Sequence, residues 1–152
     1  VDDLTLEDWD NIIEFNLKGT FLCTNAVIKR MKQQGSGKII NLSSVAGHGA
    51  SDTSSAYATA KAAIMAFTKK VAVEAGPYGV TCNAIAPGMT LSDRILRGWE
   101  QRSEEEKRRS IEAIPLGRPA EPEDQAKVIA FRASSDADYV TGVTIDVNGG
   151  QY

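Results

Sequence analysis

Residues 38–86 read KIINLSSVAGHGASDTSSAYATAKAAIMAFTKKVAVEAGPYGVTCNAIA. Lys38 to Ser43 (KIINLS) is a short apolar run between Gly37 and a Ser-rich loop, the pattern of a strand buried on both faces. Residues 44–54 (SVAGHGASDTS) are small and polar and read as a loop. Ser55 to Ala75 reads as an Ala-rich helix, stopped by Gly76-Pro77. Val80 to Ala86 (VTCNAIA) is a second buried strand, cut by Pro87-Gly88. Short buried strands alternating with helices argue for a parallel sheet with helices on its faces.

The flanks extend the pattern. Upstream, residues 5–34 read as one long helix, with Thr5 and Asp8 spaced as a capping box and Gly35-Ser36-Gly37 as the stop. Its apolar residues recur at the helical period as Trp9, Ile12, Ile13, Leu17, Phe21, Val27 and Met31. Phe15, Leu22 and Ile28 fall outside that stripe, so the helix is expected to be covered by more than one neighbour. Downstream, Asp93 to Arg109 carries six basic and five acidic residues. Residues 89–117 are therefore expected to form a solvated helical insert or a lid over a site. Pro122 to Ala133 opens with Pro and two acids, a helix start. Val143 to Val147 is a last strand before Asn148-Gly149-Gly150. The fold class expected is α/β, with three strands and flanking helices.

Length and composition narrow the functions. The chain has 152 residues, enough for one domain with a real core. Its net charge of −3 argues against a strongly basic nucleic-acid binder. No apolar run is long enough to span a membrane, and the acidic, polar start is unlike a signal peptide. Cys23 and Cys82 sit in apolar patterns and read as free buried thiols suited to a reducing cytoplasm. A single histidine, His48, argues against zinc sites and Ser-His-Asp chemistry, and no metal is expected. The first residue is Val, which fits a piece of something longer.

Tyr57 and Lys61 lie at i and i+4, on one helix face. Tyr57 would sit in the first turn, where the helix dipole is positive. A phenol normally titrates near 10. A nearby ammonium and a helix N-terminus both favour its phenolate and so suit it to proton transfer nearer neutrality. Ser44 lies just past the first strand, at the sheet edge where α/β proteins bind ligands. Asn16 sits mid-helix, where Asn is costly unless its amide has partners. Taken singly, each also has an ordinary reading: a core Tyr beside a surface Lys, a strand-end Ser, a partly exposed Asn.

Together these residues carry a resemblance. Asn16 in Phe-Asn-Leu-Lys-Gly, Ser44 in Asn-Leu-Ser-Ser-Val-Ala-Gly, Tyr57 and Lys61 in Tyr-Ala-Thr-Ala-Lys, and Asn83-Ala-Ile-Ala-Pro-Gly88 resemble the short-chain dehydrogenase/reductase family. Residues 139–150, Tyr-Val-Thr-Gly-Val-Thr-Ile-Asp-Val-Asn-Gly-Gly, resemble its C-terminus. The nearest look is to 3-oxoacyl-carrier-protein reductases and sugar or polyol dehydrogenases. The resemblance implies the C-terminal part of a doubly wound Rossmann fold and an oxidoreductase using NAD or NADP. It implies Tyr57 as general acid/base and Lys61 as its partner and a ribose ligand. Ser44 would orient the substrate oxygen, and Asn16 would hold a relay water. Pro87 and Gly88 would wall the nicotinamide pocket, with Ser92 and nearby Thr90 supplying the hydroxyl that meets the carboxamide. It also implies a homotetramer built through helices 5–34 and 55–75.

The family's Thr-Gly-x-x-x-Gly-x-Gly turn does not occur in this sequence. The chain therefore reads as the second half of such a domain, without the dinucleotide-binding half and its NAD/NADP discriminator. An alternative is a catalytically silent fragment acting only in assembly or binding. Arg132 stands where the family has an aliphatic residue, and reads as exposed or as part of an unusual interface. Residues 45–53, with Val45, His48, Ser51 and Asp52, together with the region after Gly88 and the charged insert, would line the pocket for a small polar or acyl substrate.

Overall fold

Three parallel strands follow one another across the sheet in chain order, β1 (Gly37–Leu42), β2 (Val80–Pro87) and β3 (Thr144–Val147). The structure is a computed structural model that describes residues 1–49 and 52–152. Ser51, expected in the substrate loop, lies outside the described residues.

The helices are α1 (Leu6–Ile13), α2 (Gly19–Gln34), α3 (Ser55–Ala75), α4 (Asp93–Glu100), α5 (Glu104–Glu112) and α6 (Pro122–Ala133). Thr5 caps α1 in a reciprocal capping box with Asp8. The single helix expected over 5–34 is interrupted: Glu14–Lys18 forms one wide π turn between α1 and α2. An extra residue inserted into a helix produces such a turn, and hydrophobic periodicity barely registers it. Gly35 ends α2 in the left-handed conformation. The first strand begins at Gly37 and stops at Leu42, one residue earlier at each end than the sequence pattern suggests; the last begins at Thr144, not Val143.

Ile39 and Cys82 pair across β1 and β2 and face one core. Val71, Ala72 and Ala75 of α3 pack on them, with Ile28 and Met31 of α2 at the margin. Phe21 and Phe67 meet edge to face at 6.3 Å, joining α2 to α3. The small alanines let α3 lie close to the sheet. Asn83, the next residue along β2, alternates to the other face. It donates to the Val140 carbonyl at 2.9 Å, in the loop after α6.

Two expectations need correction. Cys82 is buried, but Cys23 is exposed, because it lies on the outer side of α2. Arg132 is not exposed. It is 1% exposed, donates from Nη2 to Val140 O at 3.0 Å, and leaves Nε unpartnered.

Candidate active site

Parallel pairing brings the C-terminal ends of the three strands to one edge. Leu42 pairs with Ile85, and Pro87 with Val147. Ser43 extends the ladder through its N–H to Ile85 O, and Gly88 through its N–H to Val147 O.

Helix α3 is docked onto that edge by Lys61. The Ser43 hydroxyl donates to Lys61 O at 2.8 Å, and Lys61 Nζ donates to Leu42 O at 3.0 Å. Gly47 lets the following loop lie directly on the helix, since a Cβ there would meet Ala62 N and the Lys61 carbonyl carbon at 2.9 Å. Ser54 caps α3 by accepting the Tyr57 N–H. The cap places Tyr57 in the first turn of a 21-residue helix, at the positive end of its dipole.

Ser44 follows Ser43 and opens a short 3-10 turn, Val45–His48, its Oγ accepting the Ala46 N–H. Tyr57 is half-buried, and the Lys61 ammonium lies 5.4 Å from its ring centroid. Among the described residues the Tyr57 hydroxyl has no hydrogen-bond partner. Lys61 is 9% exposed and has no carboxylate beside it among the described residues. Burial lowers its pKa, because a charged ammonium loses hydration there.

A cleft of about 700 Å³ opens on Ser44 and Tyr57, and Lys61 is not part of its lining. Ser44, Val45, His48, Tyr57, Pro87 and Gly88 all line it. Gly88 has no room for a side chain, since a Cβ would meet Asn148 at 2.9 Å.

The remaining expected residues stand apart. Asn16 lies at the centre of the π turn, and its Nδ2 donates to Ile12 O at 2.9 Å. Its side chain is folded on its own helix, and no hydrogen bond joins it to Lys61. The Thr90 hydroxyl is occupied, donating to Gly88 O and accepting from Gln125 Nε2. Ser92 precedes α4, and its hydroxyl makes no capping bond. Neither Thr90 nor Ser92 lines the cleft. The insert is tied at its base by bonds between Leu91 N and Ala120 O and between Ala120 N and Met89 O.

Met89, in the region expected after Gly88, also lines the cleft, whereas no residue of the charged stretch 93–109 does; sequence reasoning missed two lining residues, Gln151 and Tyr152. The signal for the last two was Asn148-Gly149-Gly150. Gly149 and Gly150 have φ of 64° and 87° and turn the chain back toward the site.

Residues 1–151 match the family described as Enoyl-(Acyl carrier protein) reductase. The chain belongs to the short-chain dehydrogenase/reductase family. It is 40% identical over 144 residues to a 3-oxoacyl-[acyl-carrier-protein] reductase of Rickettsia felis, covering 95% of this chain and 58% of that protein. A crystal structure of a 3-oxoacyl-[acyl-carrier protein] reductase from Brucella melitensis superposes with a TM-score of 0.93 at 34% identity, covering all of this chain and 56% of the other. A second Brucella reductase, solved with bound NAD, gives 0.87 at 35% identity, covering all of this chain and 55% of the other. The chain thus spans somewhat over half the length of these relatives. The fold is the corresponding part of their Rossmann sheet.

Proposed function

We propose that the protein is an NAD(P)-dependent oxidoreductase acting on a secondary alcohol or ketone in a small polar or acyl substrate. The observation that carries this is Ser44 and Tyr57 lining one cleft at the carboxyl edge of the sheet, with the Lys61 ammonium behind them, 5.4 Å from the Tyr57 ring centroid and bonded to Leu42 O. The names of the relatives support a reductase of 3-oxoacyl groups, and the Brucella structure with NAD supports a nicotinamide cofactor.

The residues suit the nicotinamide end of such a cofactor. An ammonium has three donors, and Leu42 O takes one from Lys61, leaving two for ribose hydroxyls. Pro87 and the Cβ-free Gly88 form a flat wall for the ring. With the Thr90 hydroxyl occupied, Ser92 and the backbone after Gly88 are left to meet the carboxamide. The second-strand position that would choose between NAD and NADP is not among these residues, so the residues present fit either. We read the chain as the second half of a dinucleotide-binding domain, with 89–117 as a lid pinned at Thr90 and Ala120.

The cofactor, when bound, supplies or accepts the hydride. Ser44 holds the substrate oxygen through its hydroxyl hydrogen. In reduction, the Tyr57 O–H gives its proton to that oxygen, leaving a phenolate that Lys61 stabilises. The Lys61 ammonium then passes a proton back to the phenolate, and regains one through a water held at Asn16 Oδ1, the amide end left free by the bond to Ile12 O. Val45 and His48 face the remainder of the substrate.

Helices α1, α2 and α3 and the π turn between the first two leave Leu6, Phe15, Leu22 and Val73 exposed, Phe15 at 86%. We assign these faces to a homotetramer in the cytoplasm, which light scattering tests. For the activity, the protein is titrated into NADH and NADPH with fluorescence detection, then offered ketones. Cofactor binding with turnover supports the reading. No cofactor binding favours the second reading, a silent assembly module.

A further inference from the structure

His48 is held from behind. Its Nε2 lies 2.7 Å from Asp146 Oδ1, on the neighbouring part of the sheet edge. A carboxylate only accepts, so Nε2 carries the proton in this pair and Nδ1 is the nitrogen left for a bound molecule. Among the described residues nothing hydrogen-bonds to Nδ1. The other oxygen of Asp146 accepts the Tyr152 hydroxyl at 3.1 Å. Both carboxylate oxygens are thus engaged, one by the loop after β1 and one by the segment after β3. That segment is itself anchored: Gln151 Oε1 accepts the Met89 N–H at 3.3 Å, and Asn148 Nδ2 donates to Gln151 O. His48 and Tyr152 line the same cleft as Ser44 and Tyr57.

An exposed loop histidine ordinarily samples several rotamers. This one is fixed by a carboxylate that is itself fixed, in the manner by which ligand-holding imidazoles are oriented. We infer that His48, held by Asp146 and braced by Tyr152, is a specificity-determining residue whose Nδ1 edge takes a polar group of the substrate lying beyond the reacting carbon. Asp146 and Tyr152 are positioning residues that act through His48. The inference rests on the oxidoreductase reading and names the substrate side of it: a ketone with a polar function close by, such as a thioester, is favoured over a hydrocarbon ketone.

The test compares acetoacetyl-CoA with 2-heptanone, each with NADH and NADPH, in wild-type protein and in Asp146→Ala, Asp146→Asn, His48→Phe and Tyr152→Phe. A lost hydrogen bond to a polar group is worth roughly tenfold. Asp146→Ala and His48→Phe are expected to raise the KM for acetoacetyl-CoA about that much. For Asp146→Ala, which lies outside the cleft lining, kcat and the turnover of 2-heptanone should stay at wild-type levels. Asp146→Asn, whose amide oxygen still accepts from Nε2, is expected to keep most of the preference, and Tyr152→Phe to lose part of it. The single imidazole also gives a readout apart from turnover: its Nδ1 nitrogen resonance should move on adding acetoacetyl-CoA and stay still in Asp146→Ala. Equal losses on both ketones, or no loss on either, would overturn the inference while leaving the oxidoreductase reading intact. A wild-type protein that turns over neither ketone overturns both.

Discussion

Lys61 reaches from α3 to the last residue of β1, its ammonium 3.0 Å from the Leu42 carbonyl oxygen. One bond thereby sets the distance between the helix that carries Tyr57 and the strand that delivers Ser44. The same ammonium lies 5.4 Å from the Tyr57 ring centroid. Positioning and electrostatics therefore fall on one residue, and its removal should be felt in both.

Replacing Lys61 by Met should change the pH dependence of stability in a definite direction. Burial lowers the Lys61 pKa below its ordinary 10.5, so the folded state sheds this proton before the unfolded state does. The folded form therefore gains stability as pH rises from the lowered value toward 10.5, and loses it as pH falls through the lowered value. Urea denaturation between pH 7 and 10 should show this rise in the native protein and a flatter profile in Lys61→Met. Activity should fall by about a hundredfold or more, as for loss of a group acting directly on proton transfer.

Cys82 should be chemically silent in the folded protein. Burial raises its thiol to about 11, against an ordinary 9.0, although the Asn41 amide near its sulfur pulls the other way. Thiolate is the reactive form. At pH 8, native protein should therefore label at no more than one of its two cysteines, and at both in urea. Labelling of Cys82 in native protein would show that the core over β2 opens readily.

Arg132→Met should be neutral or stabilising, by about 0–2 kcal/mol. The guanidinium is almost wholly buried, its Nε lacks a partner, and it has no carboxylate beside it among the described residues. Its one hydrogen bond goes to Val140 O, which Asn83 also serves. Thermal unfolding decides this, and a large drop in Tm would mean that the arginine has a partner beyond this chain.

Asp124 should matter at neutral pH and cease to matter in strong acid. Hydrogen bonds from Arg118 and the Glu121 backbone hold its carboxyl at about 2, below the ordinary 3.8. The contribution is full above 3.8 and is lost as pH falls toward 2. Asp124→Asn should be less stable than the native protein at pH 6 and converge with it in strong acid, as followed by circular dichroism.

Much of this was legible in the sequence because the signals were local. Gly-Pro after Ala75 and Gly-Ser-Gly after Gln34 stop helices by backbone chemistry alone. The apolar runs KIINL and TCNAIA announce strands buried on both faces. Ser44, Tyr57 and Lys61 are legible from spacing and from the family's motifs; the fold brings Ser44 and Tyr57 to one cleft and sets the Lys61 ammonium against the Tyr57 ring. What stayed hidden depends on long-range contact. The π turn at Glu14–Lys18 alters helical phase by a single residue. Nothing near Arg132 announces its burial against Val140. His48 and Asp146 are ninety-eight positions apart in the chain, and only sheet pairing brings them together. Thr90 looked available until Gln125, from α6, proved to occupy its hydroxyl.

The central claim is that Tyr57 transfers the substrate proton. Its most direct test is Tyr57→Phe, assayed for acetoacetyl-CoA reduction at 340 nm beside a fluorescence titration with NADH and NADPH. The expected result is a fall in kcat of about a hundredfold or more, with cofactor affinity unchanged. A variant that binds cofactor and reduces the ketone at the native rate would contradict the claim.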